Sequence, residues 1–309
     1  MAQKNETGLA IFLFILVLLG NTIIFSIVPH LTSPVTLGGL GHNPFQILFC
    51  YSFIATLCML PWAIKQGKAG LATTRWKHYS LRAIFEYGAY ASTLIALSYI
   101  TQGGDFTLPM HTALNFISPI LATVATIFIL KERSGTHTWI ALIAGIVGVV
   151  VITRPGMIPL SPGVLYALGA AIGFSLCGIV IKLLCSTESA MKIAFYMLAM
   201  TTVLSIPLGV YHWSTPTAEG WMWLVVIGLL TYAVQWLVGK AISKVPYMVI
   251  IPLNFVQLIF STISLYLLYG DVIDQWTLMG AMIILAGTMY NARRNHALAL
   301  RETAIASAA

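Results

Sequence analysis

Residues 114–133 read LNFISPILATVATIFILKER, and residues 253–272 read LNFVQLIFSTISLYLLYGDV. Leu114, Asn115, Phe116, Ile120 and Thr123 therefore recur, without a gap, as Leu253, Asn254, Phe255, Ile259 and Thr262. Each copy has the pattern of a long apolar helix, with an amide near its start and an acid just past its end, Glu132 or Asp271. The same offset pairs Gly148 with Gly287. Self-similarity at about half the chain length marks a duplicated unit.

Composition says what the unit is. Of 309 residues, 59% are hydrophobic and 8% charged, against roughly 25% charged in a soluble domain. Apolar runs near the ~20 residues that cross a bilayer core recur along the whole chain, at about 8–29, 44–64, 79–100, 107–130, 138–153, 163–184, 191–211, 220–240, 247–269 and 275–292. The first run is too long for a signal-peptide core and reads as a span. The fold class is an all-α polytopic membrane protein, with ten transmembrane helices as two five-helix inverted repeats. Residues 1–155 form the first repeat, 156–295 the second and 296–309 a short, frayed cytoplasmic tail.

Charge gives the orientation. Fifteen of the 16 Lys and Arg residues fall on one side of this topology, and Arg154 alone on the other. The positive-inside rule then places both termini in the cytoplasm of a bacterial inner membrane. It also accounts for the net charge of +7 without nucleic acid, since no basic face with interleaved aromatics is present. Five spans per repeat is odd, so the second repeat enters from the opposite side and a pseudo-two-fold axis lies in the membrane plane. Further pairs agree. Ile47, Phe49, Thr56 and Pro61 match Ile193, Phe195, Thr202 and Pro207, and Ala96 matches Ala241. About six extra residues, TQGGDF, separate span 3 from span 4.

These segments together resemble the EamA type of the drug/metabolite transporter superfamily. The resemblance rests on LKER ending at Arg133, IALIAGIVGVVVITRPG in span 5, FYMLAMTTVLSIPL in span 7, and IPLNFVQL and LMGAMIILAG in spans 9 and 10. It implies a secondary transporter working by alternating access on a lipid-embedded cavity between the repeats. Relatives often carry basic residues where this chain has Tyr51 and Gln257. An anionic substrate is therefore not implied.

Candidate substrate-binding residues are polar side chains far from the span ends. Asn115 and Asn254 are equivalent amides, alternatively read as interhelical glue, and Gln257 shares a helix face with Asn254. Glu86 is an acid inside span 3, where a carboxylate costs about 2.5–3.5 kcal/mol on insertion scales. Either it settles Arg82 one turn earlier at the interface, or it binds an ammonium group or a coupling proton. Tyr90 and its repeat partner Gln235, then Trp236 and Tyr196, complete the set. His111, read as solvated or capping, and His30 rank below them. Glu132 reads as a solvated residue between Lys131 and Arg133. Gly145, Gly148, Gly169 and Gly173 read as close-approach positions. Cys50, Cys58, Cys177 and Cys185 read as small buried hydrophobes with no disulfide. No nucleophile with a base, metal cluster, cofactor motif or phosphate loop is expected, so the chain is read as a non-enzyme.

The expected substrate is a small polar metabolite, an amino acid or related compound, with a coupling proton or counter-substrate, moved by a monomer or homodimer. A cationic metabolite such as S-adenosylmethionine is the alternative, since span 7 followed by HWSTP resembles such carriers. A non-transporting scaffold is the reading from another class, opposed by the paired polar positions. In sealed cells, with native cysteines replaced, an impermeant thiol reagent should label Gly41→Cys and Thr217→Cys but spare Lys68→Cys. Labelling at position 68 would overturn the topology.

Overall fold

The computed structural model describes residues 2–100, 106–129, 136–154, 161–185, 187–242, 254–270 and 272–308. Eleven helices appear among them: α1 (Ala2–Thr32), α2 (Pro44–Leu71), α3 (Trp76–Ser98), α4 (Leu108–Asn115), α5 (Ser118–Ile129), α6 (Thr136–Thr153), α7 (Pro162–Cys185), α8 (Ala190–Tyr211), α9 (Ala218–Ile242), α10 (Asn254–Tyr269) and α11 (Gln275–Ala308). No strand occurs among the described residues. The surroundings of Glu132, the 101–105 insertion and the 155–160 joint lie outside them.

Local chemistry sets the helix starts. Asn43 caps α2 by accepting from Phe45 N at 3.0 Å, with Pro44 in the first turn, and Ser189 caps α8 by accepting from Lys192 N at 3.4 Å. Such caps satisfy amides that have no partner inside the helix. Within the apolar helices, Thr22, Ser52 and Thr202 donate their hydroxyls to the carbonyls of Leu18, Leu48 and Leu198. These hydroxyls are thereby satisfied within their own helices.

Two expectations need correction. Span 4 is not one helix: α4 ends at Asn115, Phe116 and Ile117 form a turn, and α5 begins at Ser118. Pro119 has no N–H to continue the ladder and its ring crowds the carbonyl four residues back, so the break sits there. The C-terminal tail is helical to Ala308, because ALALRETAIASA is rich in strong helix formers. In addition, α2 extends to Leu71 through a kink at Gly67, where φ is +63°.

Five described helical stretches are long and apolar enough to cross a membrane: Leu9–Thr32, Pro44–Leu71, Pro162–Ile181, Ala190–Tyr211 and Ala218–Lys240. Two shorter apolar ones are Trp139–Thr153 and Val256–Leu268. Their outer faces expose Phe12, Ile143, Val203 and Leu267, as a lipid-facing surface requires.

The packing reproduces the duplication. Helix α1 lies on α9 as α7 lies on α3; α2 lies on α9 as α8 lies on α3; and α1 lies on α10 as α7 lies on α4 and α5. The pairs α2 with α8 and α6 with α11 are their own images. On the α2–α8 seam the equivalent Thr56 and Thr202 meet, Oγ1 to Oγ1 at 3.1 Å. On the α6–α11 seam a Cβ on Gly148 would lie 2.7 Å from Gly280 O, and one on Gly287 would lie 3.2 Å from Ala141 O. Gly148 and Gly287 are equivalent, and so are Ala141 and Gly280. One two-fold operation relates both contacts. Gly145 and Gly173 also sit in close approach, with Ile117 and Ala89, whereas Gly169 has only an ordinary contact with Ser92 Oγ at 3.7 Å.

The seam predicts a contrast. Gly148→Ala should lower the stability of the detergent-solubilised protein by about 1–3 kcal/mol, the usual range for overpacking. Gly88→Ala, whose Cβ meets nothing within 4 Å, should be neutral or slightly stabilising. Equal melting shifts for the two variants would contradict the α6–α11 packing.

Candidate functional site

A cavity of about 20 Å³ lies between the repeats, lined by Asn21, Ile24 and Phe25 of α1, Tyr51 of α2, Tyr90 and Leu94 of α3, and Thr231, Val234 and Gln235 of α9. It holds about one water. Gly20 allows this convergence, since a Cβ there would stand 2.7 Å from Val234 Cγ2. Tyr51 and Tyr90 meet edge to face with centroids 6.4 Å apart, and Tyr90 meets Phe174 at 5.3 Å. Gln235 Nε2 donates to Met197 Sδ at 3.3 Å.

Repeat equivalence organises these residues. The offset that pairs Thr56 with Thr202 pairs Tyr51 with Met197, and the one that pairs Ala96 with Ala241 pairs Tyr90 with Gln235 and Glu86 with Thr231. Gly20 packs on Val234 as Gly173 packs on Ala89, which makes Asn21 the counterpart of Phe174. Of these four equivalent pairs, Asn21, Tyr51, Tyr90, Thr231 and Gln235 line the cavity. Phe174 and Met197 touch the lining residues Tyr90 and Gln235 from behind, and Glu86 lies one turn before Tyr90.

Glu86 is fully buried, and so is its partner. Arg82 Nη2 lies 3.0 Å from Glu86 Oε2, with side chains 6% and 7% exposed. Arg82 Nη1 donates to Ile193 O at 3.4 Å, and Cys177 Sγ donates to Arg82 O at 3.6 Å. An interfacial pair, worth about 0–1 kcal/mol, is therefore not what the structure contains. Packing by α7 and α8 covers the α3 face that carries both residues. Tyr90 follows Glu86 by one turn of α3.

The other candidates lie elsewhere. Asn115 ends α4 at the break; its Nδ2 donates to His111 O at 3.0 Å and lies 3.2 Å from His111 Nε2, while its Oδ1 is buried without a partner. His111 is 2% exposed, between Phe25 at 5.9 Å and Phe106 at 6.3 Å. The expectation of a solvated or capping histidine is thus corrected, because residues 108–114 are all buried. Through Phe25 this pair borders the cavity. Asn254 opens α10 with its side chain outside the described residues, and Gln257 is half-buried outside the cavity lining. Trp236 is 41% exposed with Lys240 Nζ 5.5 Å from its ring centroid. Tyr196 donates to Leu71 O at 2.7 Å beside Trp76 and Tyr79, away from the cavity.

Asn21 is the lining residue that sequence reasoning missed. A polar side chain in the middle of an apolar run was the available signal, the same one that singled out Asn115. Among the described residues no group of three His, Cys, Asp or Glu can hold a metal ion.

Comparison with known proteins places this architecture. The chain is 28% identical over 252 residues to an S-adenosylmethionine uptake transporter of Rickettsia bellii, covering 82% of this chain and 84% of that protein. It is 26% identical over 242 residues to a riboflavin transporter of Vibrio cholerae, covering 77% and 78%. A solved crystal structure shares the fold with a TM-score of 0.58 at 16% identity, covering 94% of this chain and 98% of that one. The model of the EamA-like transporter family matches residues 12–154 and again 161–293. Two matched halves and an all-helical inverted-repeat fold agree, and the chain belongs to the EamA-like transporter family of the drug/metabolite transporter superfamily.

Proposed function

We propose that this multi-pass membrane transporter of a small metabolite takes up S-adenosylmethionine, or a closely related adenosyl sulfonium, by alternating access in a bacterial inner membrane, with both termini cytoplasmic. The observation that carries the reading is a cavity lined by the rings of Phe25, Tyr51 and Tyr90 and the amides of Asn21 and Gln235, with the buried carboxylate of Glu86 one turn before Tyr90. A sulfonium seeks a carboxylate and aromatic faces. An adenine ring stacks on tyrosine, and the amides of Asn21 and Gln235 match its donor and acceptor edge. The amino-acid reading accounts for the amides and the acid but leaves the rings of Phe25, Tyr51 and Tyr90 without a task. The named relatives favour a larger, ring-bearing substrate.

Riboflavin is a second reading, favoured by one feature: Arg82 already neutralises Glu86, which suits an uncharged planar ligand. Proteoliposome uptake separates the two. Labelled S-adenosylmethionine should enter saturably, with weak competition from S-adenosylhomocysteine, which lacks the sulfonium charge, and none from riboflavin or methionine. Tyr90→Ala should raise KM by about 5- to 150-fold, from a lost stacking contact of about 1–3 kcal/mol. Uptake of riboflavin alone would overturn the sulfonium reading.

The buried pair requires its own test. Glu86→Gln alone strands a buried guanidinium and should cost about 3–5 kcal/mol of stability. The double variant Arg82→Met with Glu86→Gln should recover most of that loss. If Glu86 contacts substrate, the refolded double variant will still fail to transport; full uptake by it would reduce the pair to a structural role.

A further inference from the structure

Each end of the molecule carries a clasp between a helix start and the segment that follows that helix's repeat partner, and the two clasps are built from equivalent residues. At the cation-poor end, His42 precedes the α2 cap Asn43, and Gln46 lies in the first turn. Both grip the segment after α8: His42 Nδ1 lies 3.2 Å from Ser214 Oγ, Gln46 Nε2 donates to Ser214 O at 2.6 Å, and Gln46 Oε1 accepts from Ser214 Oγ at 2.8 Å and Ser214 N at 3.2 Å. At the cation-rich end, Glu188 precedes the α8 cap Ser189, and Lys192 lies in the first turn. Both grip the segment after α2: Thr73 Oγ1 donates to Glu188 Oε1 at 2.6 Å, and Lys192 Nζ donates to Ala72 O. Glu188 and Lys192 pair with each other at 2.8 Å. The offset that pairs Thr56 with Thr202 turns His42 into Glu188, Asn43 into Ser189 and Gln46 into Lys192.

We infer that these clasps are a matched pair of gates of unlike chemistry: an ionic one at the cation-rich end, and at the other a neutral one that opens when His42 gains a proton. Both are shut in this structure, in keeping with a cavity of about 20 Å³. His42 is 4% exposed, and its Nε2 is buried without a partner against Gly220, where a Cβ would come within 2.6 Å. Protonation puts an N–H there with no acceptor, which favours the open form. Burial accordingly holds the imidazole below its ordinary value of 6.5, with a smaller opposing effect from Gln46.

Among the described residues, other titratable groups at this end have contacts of their own, and Arg154 Nη2 donates to Asp274 Oδ2 at 3.0 Å. On α1 and α9, His30 Nε2 lies 3.3 Å from Glu219 Oε1, which Trp223 Nε1 also approaches at 3.4 Å. After α8, His212 stacks on Phe45 at 5.9 Å.

The signs differ between the ends. The closed His42 clasp binds fewer protons than the open one, so closure is favoured above pH 6.5 and lost as pH falls through it. At Glu188, burial opposes ionisation, but hydrogen bonds from Lys192 and Thr73 and the charges of Lys192 and Arg75 outweigh it and hold the carboxyl below 4.5. Its carboxylate therefore stays ionised throughout the range from pH 7.5 to 5.5. Between pH 7.5 and 5.5 one end responds and the other does not.

The inference rests on alternating access and not on the substrate's identity. In the full-length protein with native cysteines replaced, spin labels at Thr36→Cys and Thr215→Cys report one end, and labels at Thr74→Cys and Thr187→Cys the other. Between pH 7.5 and 5.5 the first pair should gain a longer-distance population, by at most about tenfold because pH 5.5 lies one unit below the ordinary imidazole value, while the second pair stays constant. His42→Gln should flatten the response, whereas His30→Gln and His212→Gln should keep it. Should His42→Gln fail to fold, Ser214→Ala should instead raise the open population already at pH 7.5. No response in the parent protein, an equal response at both ends, or a response that survives His42→Gln would overturn the gate. A protein that shows the response but takes up no S-adenosylmethionine would keep the gate and lose the substrate reading.

Discussion

The contact between Thr56 and Thr202, two equivalent hydroxyls 3.1 Å apart on the α2–α8 seam, expresses the constraint on which the structure depends. Lipid supplies no hydrogen-bond partners, so polar groups inside the bundle favour partners on their own helix or on a neighbouring one. A self-complementary seam does this with one sequence element used twice. The α6–α11 seam applies the same economy to packing, with Gly148 on Gly280 matched by Gly287 on Ala141. Once both seams are fixed, α1, α3, α7 and α9 enclose what lies between them.

Divergence of the duplicated unit gives that interior its chemistry. Where one repeat has Glu86, the other has Thr231; Tyr90 is matched by Gln235, and Asn21 stands where its counterpart is Phe174. A strictly symmetric cavity would present the same group twice. This one presents the rings of Phe25, Tyr51 and Tyr90 together with the polar groups of Asn21, Thr231 and Gln235. The clasps diverge in the same way, with Glu188 and Lys192 in one repeat and His42 and Gln46 in the other.

Much of this was legible in the chain. Apolar run lengths gave the span positions, and the offsets 139, 145 and 146 gave pairs that the structure brings into related contacts. Depth was not legible. The spacing of Arg82 and Glu86 says that they share a helix face, but only the packing of α7 and α8 shows that the face is sealed. His111 was misread for the same reason, since nearness to a span end says nothing of the neighbours that cover it. The break in span 4 was written in Ser118-Pro119, and Asn21 in an apolar run. Both signals were outweighed by the overall apolar pattern.

The central claim is that the repeats are related by an axis passing between Thr56 and Thr202, with the cavity enclosed by that relation. Oxidative cross-linking of Thr56→Cys with Thr202→Cys, on a background without native cysteines, tests it directly. The account predicts efficient intramolecular disulfide formation in the folded protein, and none between Thr56→Cys and Val203→Cys, whose position is 63% exposed on the outer face of α8. Failure of the first pair, or equal cross-linking of both, would contradict it.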